Sequence, residues 1–296
     1  MPELPEVETI IRELNSKIVG KKIIDVYTER PQTLINSSPN LFRKIVKKAI
    51  IRKVERKGKY IIISLSDNAV IILHLRMTGR IFVSKCWHLS HDKLIKRGGA
   101  ICRKPEKILD QNKKHFIRFA LFLGQDTDFF LSDVRRFATV ELFKDKNHLT
   151  KLAKIGTDAM DKSLTEKMFI DLLKKQTTEI KKALLNQRFI SGIGNIYADE
   201  ILFKSKILPQ RKVTTLSDKE LKRIFISMKA ILRKAIQYKG TSFSDFRTTT
   251  GEKGSYIEKV NVFRKEGLPC PNKCGSIIEK VKLGGRGTRF CPRCQK

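Results

Sequence analysis

The strongest constraint on how this 296-residue chain folds is a set of four cysteines near its end, Cys270, Cys274, Cys291 and Cys294. Two closely spaced pairs, C-x3-C and C-x2-C, are bridged by a stretch that suits two short strands and a turn. Four thiolates so spaced supply one tetrahedral zinc site and leave no position open for water, so the Zn2+ they imply is structural. A disulfide pair is the alternative, but nothing in the chain points to an oxidising compartment. The turn would be Gly284-Gly285-Arg286-Gly287, which offers Arg286 at its tip. Cys86 and Cys102, with His88 and His91 between them, could form a second metal site or be incidental, since their spacing matches no zinc pattern.

Charge narrows the partner. With 62 Lys and Arg against 30 Asp and Glu, the formal net charge is +32, which argues for a polyanion whose condensed counterions the protein displaces. Nucleic acid is the obvious one. Glu3, Glu6 and Glu8 sit where a signal peptide would need an apolar stretch. The longest apolar runs are strand-length, so no membrane span is expected, and the expected location is cytoplasmic and nucleoid-associated. Nothing points to an oligomer, so a monomer is expected.

Periodicity divides the chain into an α+β arrangement. Leu4, Val7, Ile11 and Leu14 recur at helical spacing up to about Ile18, with Pro5, Glu6 and Glu8 in the opening turns. Short segments rich in β-branched and aromatic residues follow: Ile23–Thr28, Lys59–Leu65, Val70–Leu75, Phe116–Leu123, Phe129–Ser132 and Thr139–Phe143. They predict a mostly antiparallel β-sandwich with one leading helix. From about Lys151 the period becomes helical, and Ser217 with Glu220 has capping-box spacing before a helix to about Tyr238, stopped by Gly240. The expected domains are 1–150, 151–266 and 267–296. Arg30–Asn40 and Ser84–Lys114 look inserted or mobile, and Phe243–Gly267 reads as a long loop leading into the last module.

The opening MPELPEVE carries chemistry. Removal of Met1 would leave Pro2 as a free secondary amine beside the carboxylate of Glu3. An α-amino group has a pKa of about 8, against about 10.4 for Lys, so a sizeable fraction is unprotonated and nucleophilic near neutrality. Such an amine can form a Schiff base with a sugar carbon or an aldehyde. A frayed chain end is the plainer alternative.

Together with RKGKYIIISL around Lys59, HLRMTG at His74–Gly79, SDVRRF at Ser132–Phe137 and NQRFISGIGNIYADEIL at Asn186–Leu202, these features resemble the formamidopyrimidine-DNA glycosylase family over nearly the whole chain. The resemblance implies a bifunctional glycosylase and abasic-site lyase of base excision repair that removes oxidised purines from damaged double-stranded DNA. It implies an N-terminal β-sandwich, a helical helix-two-turn-helix domain and a zinc ribbon. Matched by position, Pro2 is the nucleophile at C1′, Glu3 the acid/base and Glu6 a supporting acid. Lys59 matches a residue of β-elimination, and Arg286 one of δ-elimination. Met77, Arg135 and Phe137 match the residues that fill the space left by an extruded base. His74, His115, Lys181 and Asn195 match backbone or lesion contacts. Taken singly, Met77 and Phe137 would more often be core.

Three departures stand out. Ala138 replaces an expected Gly, Gln176 an expected basic residue, and Ser84–Lys113 is longer than expected. Leu4-Pro5-Glu6-Val7 favours the purine-directed branch over the sister family for oxidised pyrimidines. A non-catalytic zinc-ribbon damage-binding protein is the other alternative.

Overall fold

The computed structural model describes residues 1–84, 116–123, 127–144, 147–242 and 246–296. Helix α1 (Leu4–Ile18) leads into two four-stranded antiparallel sheets, which make a sandwich. One sheet joins β1 (Ile23–Thr28), β6 (Ile117–Leu123), β7 (Thr127–Asp133) and β5 (Gly79–Ser84), in that spatial order. The other joins β2 (Ile51–Lys57), β3 (Tyr60–Leu65), β4 (Val70–His74) and β8 (Thr139–Phe143). Val7, Ile10, Ile11, Leu14 and Ile18 of α1 share a core with both sheets, among them Ile61, Ile63, Phe119 and Phe129.

Two strands and a helix add to what periodicity predicts. In β2 the charged Arg52, Lys53, Glu55 and Arg56 interrupt the apolar alternation, and a register shift between Ile51 and Lys53 breaks it further. Arg56 is not a solvent residue, because it pairs with Glu8 of α1 at 2.7 Å and also with Asp158. Strand β5 follows a tight turn inside the HLRMTG stretch. The expectation that Arg30–Asn40 is inserted or mobile is corrected: it holds a 3-10 turn (Pro31–Thr33) and the start of α2 (Pro39–Val46). Ser38 caps that helix by accepting the Leu41 N–H at 3.3 Å, and Phe42 and Val46 enter the sandwich core. Cys86, His88, His91, Cys102 and His115 lie outside the described residues.

The helical half contains α3 (Asn147–Ala153), α4 (Glu166–Lys174), α5 (Ile180–Leu185), α6 (Asn195–Ser205) and α7 (Asp218–Gln237). The expected Ser217–Glu220 capping box is present at the start of α7. A short parallel pair, β9 (Thr157–Asp158) with β10 (Ile190–Ser191), holds the glycine-bearing loop before α6 close to Gly58. The final module is a hairpin of β11 (Glu279–Leu283) and β12 (Arg286–Phe290). Among the described residues no helix is long and apolar enough to cross a membrane.

Leu4 departs from its own helix. It is fully buried in the helical core, with Ile193, Tyr197 and Ile201, while the rest of the α1 stripe lies in the sandwich core. Its N–H also donates to the Gly192 carbonyl at 3.1 Å. One helix is therefore shared between two cores. Leu4→Ala should cost about 2–5 kcal/mol in urea unfolding, and Ile24→Ala, at a 41 % exposed position, under about 0.5 kcal/mol. Equal effects at the two positions would count against the shared-core packing.

Candidate active site and nucleic-acid face

The N-terminus is held from below by two carboxylates. Glu6, one turn into α1, is buried, and its Oε2 accepts the Glu3 N–H at 2.7 Å. Its Oε1 accepts the Tyr197 hydroxyl at 2.5 Å and the Thr241 N–H at 2.6 Å. Burial, and then the neighbouring Glu3 charge, push the Glu6 pKa up. Gly240, at φ +79°, leaves room for this carboxylate: a Cβ there would lie 2.7 Å from Oε1.

Glu3 is also buried. Its Oε1 accepts the Ile196 N–H at 3.1 Å, at the first turn of α6, where exposed helix amides favour negative charge. Its Oε2 has no hydrogen-bond partner among the described residues. Gly194 makes this possible, since a Cβ on it would fall 2.2–2.6 Å from the Glu3 carboxylate atoms. Pro2 is buried beside it, and Met1 lines an adjoining cavity of about 470 Å³ with Lys59, His74, Lys151 and Arg286.

Sheet register brings the basic side chains to that cavity. Tyr60 pairs with His74 across β3 and β4, so Lys59 and His74 lie at one end of the sheet. Lys59 is buried and donates to the Ile193 carbonyl at 2.9 Å. Burial lowers its pKa and nearby Arg286 adds to this, with Glu3 opposing. His74 accepts the Arg76 N–H on Nδ1 at 3.0 Å, so the proton of a neutral ring sits on Nε2. Burial first, then Arg76, Lys59 and Lys151, push its pKa down to about 3. At neutral pH it is an uncharged Nε2–H donor.

Arg286 is exposed and opens β12, immediately after the Gly284-Gly285 turn. Lys181 behaves differently from the expectation of a direct backbone or lesion contact. Its ammonium is fully buried and bound to Asp199 at 2.6 Å, the Thr288 hydroxyl at 2.8 Å and the Gly287 carbonyl at 3.2 Å. Burial acts against both charges, lowering the Lys181 pKa and raising that of Asp199, while their mutual attraction opposes it. Lys181 thus fastens the Arg286 hairpin to α6, with its donors already engaged. Asn195 does the same through Nδ2, which donates to the Gly287 carbonyl at 3.0 Å, and its Oδ1 is buried without a partner among the described residues.

Met77 and Phe137 are surface residues, 45 % and 50 % exposed, and the Arg135 guanidinium lies 3.8 Å from the Met77 sulfur. Their apolar character is therefore not explained by the core. Spacing does not reveal Tyr197, Thr241 or Asp199, although Tyr197 and Asp199 stand inside the GNIYADE stretch. Their signal is burial and pairing, which only the fold supplies.

The four ribbon sulfurs lie within 4.8 Å of one another, with Cys270–Cys294 at 3.7 Å and Cys274–Cys291 at 3.5 Å. A tetrahedron with Zn–S bonds of about 2.3 Å has edges of about 3.8 Å, so this donor set fits zinc. Cys270 and Cys291 also pack on Phe203 of α6 and Val262. Cys291→Ser should release one equivalent of metal and weaken DNA binding several-fold; full metal content by mass spectrometry would refute the assignment.

His74 makes a pH prediction. The unfolded chain protonates this ring below its ordinary pKa of 6.5, whereas the folded site resists until about 3. Its stabilising contribution is complete above about 6.5 and falls as pH drops from there toward 3. Between pH 7.5 and 5.5 the loss should be about 1 kcal/mol, and smaller in His74→Gln, as read by urea unfolding. Identical losses in both proteins would contradict it.

Residues 1–140 match the formamidopyrimidine-DNA glycosylase N-terminal domain, 155–247 the formamidopyrimidine-DNA glycosylase H2TH domain, and 267–296 the zinc finger found in FPG and IleRS. A formamidopyrimidine-DNA glycosylase from Listeria monocytogenes is 35 % identical over 299 residues, covering 100 % of both chains. The fold superposes on Lactococcus lactis Fpg bound to DNA containing an abasic site, with a TM-score of 0.84, 33 % identity and 99 % coverage of each chain. A complex of wild-type Lactococcus lactis Fpg with DNA containing an oxidised pyrimidine gives a TM-score of 0.83 at 33 % identity, covering 100 % of both chains.

Proposed function

Because the chain belongs to the formamidopyrimidine-DNA glycosylase family, we propose that it excises oxidised purines such as 8-oxoguanine and formamidopyrimidines from duplex DNA, then cleaves the strand by β,δ-elimination. The observation that carries this reading is the Glu3 carboxylate. One oxygen is fastened to the Ile196 N–H, and the other is buried without a partner among the described residues, on the residue that follows Pro2. A carboxylate so held is suited to move protons at one fixed place.

With Met1 removed, the Pro2 nitrogen lone pair attacks C1′ and the glycosidic bond breaks, its electron pair leaving with the base. The proton that Pro2 gives up on bonding to C1′ passes to Glu3 and from it to O4′ as the sugar opens, which leaves an iminium between Pro2 and C1′. The departing base takes up a proton from water. Loss of a C2′ proton then expels the 3′-phosphate, and loss of a C4′ proton expels the 5′-phosphate. Water hydrolyses the iminium and frees Pro2. Lys59 and Arg286 face the same cavity as cations suited to phosphate, Lys59 serving β-elimination and Arg286 δ-elimination. Glu6 positions Glu3 through its N–H. Met77, Arg135 and Phe137 occupy the gap left by the extruded nucleotide. His74 donates to a backbone phosphate through Nε2–H, and a single structural Zn2+ keeps the ribbon folded.

A second reading keeps this chemistry and changes the base to an oxidised pyrimidine. It is favoured by the relative solved with such a lesion. Borohydride trapping on duplexes carrying either lesion tests both readings. The expected result is an adduct mapping to Pro2, strongest on 8-oxoguanine opposite cytosine, and absent when Met1 is retained. Trapping on the pyrimidine alone would select the second reading. No adduct from the Met1-free, zinc-loaded protein would refute both.

A further inference from the structure

We propose that Asp133 is a positioning residue that locks the two loops bearing Met77, Arg135 and Phe137 into a single wedge. This rests on the reading above that these three side chains enter the duplex. Asp133 ends β7, is fully buried, and pairs in register with Gly79, the first residue of β5. The Met77 turn therefore runs directly into its cross-strand neighbour.

The side-chain oxygens of Asp133 have four donors. Oδ1 accepts the Thr78 hydroxyl and the Arg135 N–H, the latter at 3.1 Å. Oδ2 accepts the Phe137 and Ala138 N–H groups, both at 2.7 Å. The backbone of Asp133 is held too: its N–H donates to Phe116 at 2.9 Å and its carbonyl accepts Arg118 Nε at 2.7 Å. A carboxylate has about four acceptor positions, so this one is filled.

The donors belong to both loops. Thr78 is adjacent to Met77, while Arg135, Phe137 and Ala138 define the reversal after β7. Each loop also holds a non-glycine residue in the left-handed region, Arg76 at φ +52° and Arg136 at φ +61°. Such backbone persists only where its surroundings over-determine it. One buried acceptor meets that need for the second loop and ties it to the first. It leaves Val134 and Phe137 pointing outward, 54 % and 50 % exposed, with Arg135 against Met77. The wedge is thus a product of Asp133, a residue that need not touch DNA.

Asp133→Asn keeps the shape but replaces one acceptor oxygen by an amide donor, so either the Arg135 N–H or the Phe137 and Ala138 N–H groups lose their acceptor. Thr78→Val cuts only the link between the loops. In the full-length, zinc-loaded protein, excision of the duplex lesion should fall about 100-fold in Asp133→Asn and about tenfold in Thr78→Val. Cleavage of an abasic site in single-stranded DNA, which needs no extrusion, should change less than about threefold. Emission of 2-aminopurine beside the lesion, which reports unstacking without chemistry, should rise on wild-type binding and stay low with saturating Asp133→Asn.

Parallel loss on both DNA substrates, or wild-type emission from Asp133→Asn, would overturn the proposal. If Asp133→Asn does not fold, the Thr78→Val ratio between the two substrates decides, and an unchanged ratio refutes the proposal. A wild-type protein that unstacks the lesion without excising it would refute the glycosylase reading instead.

Discussion

The Glu6 carboxylate joins three stretches that are distant in the chain. It holds the backbone of Glu3, the hydroxyl of Tyr197 on α6 and the amide of Thr241 beyond α7. A charged group without partners in that position would carry a large desolvation cost, so its three donors are a condition of its being there. The arrangement also makes the two halves interdependent. Leu4 sits in the helical core while Val7 begins the sandwich stripe, so the turn of helix between them crosses the boundary. The candidate site lies where that crossing occurs, and its geometry depends on both cores.

A second layer of buried acids attaches the ribbon. Asp199 binds Lys181 and the Arg289 N–H, and the adjacent Glu200 accepts from the backbone of Asn261, Val262 and Phe263. Two consecutive residues of α6 thereby set both the approach to the metal module and the hairpin that carries Arg286. The position of Arg286 is consequently a property of α6 as much as of the cysteine cluster. Zinc would fold the ribbon, and the acids would aim it.

Much of the architecture was legible from periodicity and punctuation. The α1 stripe ends at Ile18 as its spacing implies, and Ser217 with Glu220 caps α7. Where reading failed, local chemistry misled. The charges of β2 break the apolar alternation that marks a strand, and Arg56 among them is held by Glu8 and Asp158. Around Ser38 a cap was masked by prolines and serines that looked like a loop. At the site, Lys59, His74 and Arg286 line one cavity together with Met1, and Pro2 and Glu3 are buried next to Met1 in the chain. Lys181 was matched to a backbone or lesion contact by its place in the motif order, and only the fold reveals that it is buried with its donors engaged. Asp133, Tyr197 and Thr241 were invisible for the opposite reason: each acts through backbone or carboxylate partners that no spacing encodes.

Gly194 shows where sensitivity to change can hide. It carries no functional group, yet the Glu3 carboxylate occupies the volume its side chain would fill. At that position the smallest possible enlargement, a single methyl, would act on the acid itself, by eviction rather than by chemistry. Empty space is therefore one of the components of this site, and a survey of variants that looked only for lost reactive groups would pass over it.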